Sequence, residues 1–201
     1  MLKITITLFY LFLFFTLSAV ELKTAAQESE PKYIKSGNAI TGLCVDIIRA
    51  LEKINPEIKF TGDQNFQPFK RMLDNLEKGD LDVFVGIVED KEREKKYNYI
   101  DIPIYVNQLK LAALADDNVT LNSFDDVRKL GSDAKILTVF GTIYADYLKQ
   151  QKGLIVDDGG KTPAANIEKL LLKRGRFLFY HDLGIVHCMK KGNLSGKVKI
   201  L

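Results

Sequence analysis

The chain has 201 residues, 46% of them hydrophobic and 27% charged, a globular balance long enough for one domain or two small lobes. Its net charge of +3, with no basic stripe interleaved with aromatics, excludes nucleic acid as the partner. Two cysteines, Cys44 and Cys188, exclude a disulfide framework and are expected as free, buried thiols.

Met1 to Lys3 gives a short positive start, and Ile4 to Leu17 is an apolar run without a charge. Small residues follow at Ser18 and Ala19. The run is too short for a comfortable membrane span and fits a secretory signal peptide over residues 1–19. The weaker alternative is an uncleaved anchor. Lys3 is the one charge in that leader, so a mature chain from Val20 carries +2.

Beyond the leader, short strands alternate with helices. Leu22 to Ala26 reads as a strand, and a polar turn follows through Glu28, Ser29, Glu30 and Pro31. Gly42 to Ile54 places Leu43, Ile47, Leu51 and Ile54 at a helical period, stopped by Asn55 and Pro56. Ile58 to Phe60 is a short strand, and Phe69 to Lys78 a second helix closed by Gly79. "LDVFVGIV", Leu81 to Val88, predicts a strand buried on both faces. A charge run, "EDKEREKK", then leads into the aromatic "YNYIDIPIY", and Leu109 to Ala115 is another strand.

Ser123 can cap a helix to Leu130, "KILTVF" is a strand, and Thr142 to Gln151 a helix. "GGKT", Gly159 to Thr162, lacks the earlier glycine of a phosphate loop and reads as a loop and cap. Thr162 and Pro163 open a helix closed by Gly175. "RFLFYH" and the end of "GNLSGKVKIL" are the last strands, and Leu201 falls inside the second of these. The alternation predicts parallel α/β sheets.

Three places at strand ends, where open α/β sheets put ligands, carry possible chemistry. Gly141 and Thr142 open a helix, either as an anion site or as a plain cap. Asp182 follows an apolar strand, either capping a short helix or offering a carboxylate to an ammonium group. Arg93 is either one more member of a solvated charge run or a planar fork for a carboxylate. His181 and His187, with Cys188 nearby, lack metal-ligand spacing and read as packing or surface residues.

Taken in order, "ITGLCVDIIRALEKI", "FKRMLDNLEKGDLDVFVG" and "KEREKKYNYIDIPIY" resemble segments of the family 3 periplasmic solute-binding proteins of polar amino-acid ABC transporters. The resemblance runs from about Leu22 to the end. It implies the two-lobed periplasmic-binding-protein-like α/β fold, each lobe a mostly parallel sheet flanked by helices. Lobe 1 would span residues 20–105, with 197–201 returning to it, and lobe 2 residues 106–196. The family chain continues beyond Leu201, so a first lobe lacking its C-terminal portion is expected.

By the same resemblance Arg93 would hold a ligand α-carboxylate, aided by Thr142, Gly141 and the amides there. Asp182 would take the α-ammonium and Phe69 would cover the side chain. Gly86 completes the set, together with Glu30, which stands where the family often has a second stacking aromatic. The implied partners are a small amino acid and an inner-membrane permease, in the periplasm, without cofactor, metal or catalysis. Two rivals use the same fold: a cyclic amino-acid dehydratase with Asp182 or Glu30 as acid or base, and a sensor module without ligand.

Overall fold

The computed structural model describes residues 19–201, so all but Ala19 of the expected leader lies outside the described residues. Those residues fall into two units, one running through Glu28 and then Lys35–Tyr97, the other holding Ser29–Ile34 and Asn98–Leu201. Among the described residues, no helix is long and apolar enough to cross a membrane.

In the first unit, β1 (Val20–Lys23) pairs in parallel with β4 (Ile58–Thr61), and β2 (Ile34–Ser36) pairs with β3 (Ala39–Thr41). Helix α1 (Leu43–Ile54) packs on β3 and β4 through Cys44, Val45 and Ile48. The stripe expected from spacing is thus rotated by about one position, and Leu51 and Ile54 are 40% and 80% exposed. Arg49 on α1 pairs with Asp63, a buried carboxylate that Gln64 also holds. Helix α2 (Phe69–Lys78) stops where Gly79 takes a left-handed φ of 75° and its amide reaches the Asn75 and Leu76 carbonyls.

The expected strand over Leu81–Val88 does not form. Three of its apolar residues, Leu81, Phe84 and Val85, are buried, whereas Val88 is 37% exposed. However, the Lys23 amide that could continue a ladder is taken by the Asp82 carboxylate at 2.8 Å. The amides of Asp82 and Val83 both converge on the Lys23 carbonyl. Hydrophobicity fixed the burial of this segment, and one acidic side chain displaced its sheet hydrogen bonds.

The second unit is built on a five-stranded sheet of order β7-β6-β8-β5-β9. These strands are β5 (Leu109–Leu114), β6 (Ile136–Val139), β7 (Val156–Gly160), β8 (Phe177–His181) and β9 (Val198–Ile200). β6 runs parallel to β7 and β8, whereas β5 is antiparallel to both β8 and β9. Alternation along the strands sends Ala112, Leu137, Leu178 and Tyr180 to one face and Ala113, Ile136, Phe177 and Phe179 to the other. Helices α5 (Pro163–Leu171) and α6 (Asp182–Lys191) supply Ile167, Leu170 and Ile185 to the first face. Helices α3 (Phe124–Lys129) and α4 (Ile143–Gln150) supply Val127 and Leu148 to the second.

Two expectations about this unit need correction. Residues 198–200 do not return to the first lobe, because β9 pairs with β5 from Ala112 to Leu114 inside the second unit's sheet. The loop expected at Gly159 and Gly160 is the end of β7, whose "VDDGG" sequence conceals a parallel edge strand. Gly160 is required there, since a Cβ would lie 2.0 Å from Asn166 Oδ1.

Candidate functional site

Arg93 is set apart from its neighbours by its surroundings. Its side chain is 17% exposed, against 65% for Lys95 and 59% for Lys96, which pair with Glu92 and Glu77. Asp90 opens the turn by accepting from the Glu92 and Arg93 amides, both at 3.0 Å. The same carboxylate contacts Arg93 Nε at 3.1 Å, and Nη1 donates to the Val88 carbonyl at 2.8 Å. The guanidinium lies over the Phe69 ring, 5.2 Å from its centre. Asp90 was not singled out from the sequence, although its place three residues before Arg93 is the signal. Gly86, at a positive φ of 93°, turns the segment between the buried apolar residues and this turn. Phe69, Gly86 and Arg93 all belong to the first unit.

Gly141, Thr142, Asp182 and Glu30 belong to the second unit. β6 and β8 are parallel neighbours, so the starts of α4 and α6 lie at the same end of the sheet. The Tyr144 and His181 rings, 6.1 Å apart, mark that proximity. Gly141 has a left-handed φ of 69°. Thr142 caps α4, its hydroxyl donating to the Val139 carbonyl at 2.8 Å and accepting from the Ala145 amide at 3.3 Å. The amides at this helix start supply positive potential there.

Asp182 is the first residue of α6. Its Oδ1 accepts from the Leu183 amide at 2.7 Å and from the Gln108 amide at 3.1 Å. Its own amide donates to the Gln108 carbonyl at 2.8 Å. The capping residue of that helix is His181, a role not foreseen from the sequence. Its Nδ1 accepts from the Gly184 amide at 3.0 Å. The ring is 5% exposed, and burial pushes its pKa down to about 4, keeping the imidazole neutral.

Glu30 meets Lys191 Nζ at 2.9 Å and His187 Nε2 at 3.1 Å. The Lys191 ammonium is the main reason that its carboxyl sits below the ordinary range. Cys188, beside this cluster, has its pKa raised by burial. Both cysteines are free, but only Cys44 is fully buried. Among the described residues, no group of three or more His, Cys, Asp or Glu could hold a metal ion.

The model of the bacterial extracellular solute-binding proteins, family 3, matches residues 22–199. The chain belongs to that family. No curated protein matches this solute-binding protein. Solved structures do, at identities that establish the fold alone. An ancestral arginine-binding protein bound to arginine is 20% identical, covering 90% of this chain and 78% of the other, with a TM-score of 0.68. An ancestral amino acid-binding protein described as a precursor of cyclohexadienyl dehydratase is 18% identical, covering 91% and 76%, with a TM-score of 0.68. A structure described as the basis of glutathione import via GshT and the cystine ABC importer TcyBC of Streptococcus mutans is 16% identical. It covers 92% and 75%, with a TM-score of 0.70. These likenesses support the α/β periplasmic-binding fold expected from the sequence.

Proposed function

We propose that this family 3 protein is exported, captures a small polar amino acid or a similar zwitterion, and delivers it to an ABC-transporter permease in the inner membrane. The observation that best supports this reading is Arg93, a half-buried guanidinium oriented by Asp90 and Val88 and backed by Phe69. The described bonds engage Nε and Nη1, and the remaining donors of the fork take the ligand's α-carboxylate. In the second unit, Thr142, Gly141 and the amides at the start of α4 are suited to a carboxylate without a second full charge. Both described bonds to the Asp182 carboxylate fall on Oδ1, and in this reading Oδ2 takes the α-ammonium. Phe69 covers the ligand's side chain, Gly86 admits close approach, and Glu30 lines the side-chain end.

Capture without chemistry is favoured over a dehydratase because the Lys191 ammonium already holds the Glu30 carboxyl ionised, which disfavours it as an acid. A thermal-shift screen of the twenty amino acids tests the reading. A stabilising ligand recovered unchanged by NMR supports capture, conversion of that ligand supports the dehydratase, and no stabilisation by any of them supports the sensor module. The reading also has the mature chain starting near Val20, in the periplasm. Mass spectrometry of the exported protein checks this, and an intact Met1 would refute it.

A further inference from the structure

Aspartate is among the residues most favoured for capping a helix, and Asp182 stands one residue past the cap of α6. The capping bond is made instead by His181, whose Nδ1 accepts from the Gly184 amide at 3.0 Å. That ring is buried and firmly seated. Its centre lies 4.2 Å from that of the Tyr180 ring and 6.1 Å from that of Tyr144 on α4. Gly184 lets the helix come so close, since a Cβ there would lie 2.9 Å from His181 Cε1 and 2.5 Å from Tyr180 Cε1.

The titratable groups around the ring come from four places. Tyr180 stands beside it on β8, Tyr144 faces it from α4, Lys32 from the segment before β2, and Asp182 from α6. β5 places the apolar Leu109 opposite it. Burial and the Lys32 ammonium both disfavour a proton on the imidazole, and only the Asp182 charge opposes them. Nδ1 therefore keeps the lone pair that the cap needs. Asp182 is in turn released from capping. Its Oδ1 is held by the Leu183 and Gln108 amides at 2.7 and 3.1 Å, and Oδ2 takes part in neither bond. Without an acceptor on His181, the Gly184 amide would compete for this carboxylate and draw it into the helix start.

We propose that His181 is a positioning residue for amino-acid capture: its ring caps α6 in place of Asp182 and so leaves Asp182 Oδ2 available to the ligand's ammonium group. This rests on the function proposed above, in which Asp182 takes that group. Deleting the ring then costs affinity only for ligands that carry the ammonium, because only they use the carboxylate that the ring keeps in place. The coupling also runs the other way. A ligand cation held at Asp182 makes protonation of the adjacent ring harder, to the same extent that a proton on the ring weakens the ligand.

The probes are the twenty amino acids and, for the one that stabilises the parent chain most, the same molecule without its α-ammonium group. Calorimetry gives the affinity ratio of that pair for the parent, His181→Ala, His181→Asn and Asp182→Asn. His181→Ala should lower the ratio about tenfold, and His181→Asn, whose side-chain oxygen can accept from Gly184, should restore most of it. In the parent, the His181 titration followed by NMR should move down by about half a pH unit or more with the amino acid and stay in place with its desamino partner. This measurement needs no variant and decides the matter if His181→Ala does not fold. A ratio lowered by Asp182→Asn but not by His181→Ala, a loss that His181→Asn does not repair, or a titration indifferent to the amino acid would each overturn the inference while leaving Asp182 its role. If Asp182→Asn keeps the ratio of the parent, or no amino acid stabilises the chain, the reading of Asp182 falls and the inference with it.

Discussion

Acidification from pH 7 to pH 5 should cost this protein about 2 kcal/mol of stability through His181 alone. Two features of the fold require a neutral ring: burial, which lowers its pKa from 6.5 to about 4, and the Nδ1 lone pair that accepts from Gly184. Between those two values the unfolded chain binds a proton that the folded chain refuses. The contribution is therefore complete above about pH 6.5 and shrinks as the pH falls toward 4. A difference of one pH unit between the two titrations corresponds to about 1.4 kcal/mol, so the full loss approaches about 3 kcal/mol, of which roughly two thirds has gone by pH 5. Glu30 titrates below its ordinary value of 4.5 and Asp126 at about 2, so both lose their contributions in a lower window. The assay is urea unfolding between pH 7.5 and pH 4.5 for the parent and for His181→Asn, which keeps an acceptor for the Gly184 amide but does not titrate. The parent should lose about 2 kcal/mol more than the variant by pH 5. Parallel pH profiles for the two proteins would refute the assignment of the loss to a buried neutral imidazole.

Arg93→Ala should weaken binding of whichever amino acid is found by roughly thirty-fold or more, the effect of removing one partner of a desolvated charge pair, while Arg174→Ala changes little. Calorimetry on both variants checks this. Gly160→Ala should destabilise the second unit by about 2 kcal/mol, because the new methyl meets Asn166, whose Nδ2 donates to the Thr138 carbonyl at 2.8 Å in the interior. Denaturant unfolding measures that loss. Ile100, Ile102 and Val106 are 78%, 72% and 76% exposed along one stretch, so self-association in sedimentation should rise with concentration and fall in Ile100→Ser/Val106→Ser.

Much of the second unit was legible from sequence because its signals are local. Thr142 before α4, and Thr162 with Pro163 before α5, are caps whose partners lie within three residues, so the sequence contains the whole interaction. Leu81–Val88 misled because its hydrophobicity speaks to burial, while strand formation depended on where the Lys23 amide would go, 59 residues away. β7 was hidden for the opposite reason. An edge strand of Val, Asp and Gly has little apolar signal, and the neighbouring β6 imposes its conformation. In the charge run, residue type alone leaves Arg93 open between a solvated charge and a carboxylate fork, and Asp90 is marked only by its place three residues before it, a weak signal until the turn is folded. His181 was passed over because a histidine cap is uncommon beside Ser, Thr, Asp and Asn.

The placement of β5 has a kinetic consequence. It is the first strand of the second unit, yet its partners on the two edges are β8 and β9, and Ala112 meets Ile200 across 88 residues of chain. β6 and β7 can find each other early, with only a helix between them. β5 must instead stay unpaired through synthesis until β8 is made, and closing so long a loop slows folding of this unit. A nascent chain would carry the apolar Leu109–Leu114 segment exposed for that whole interval.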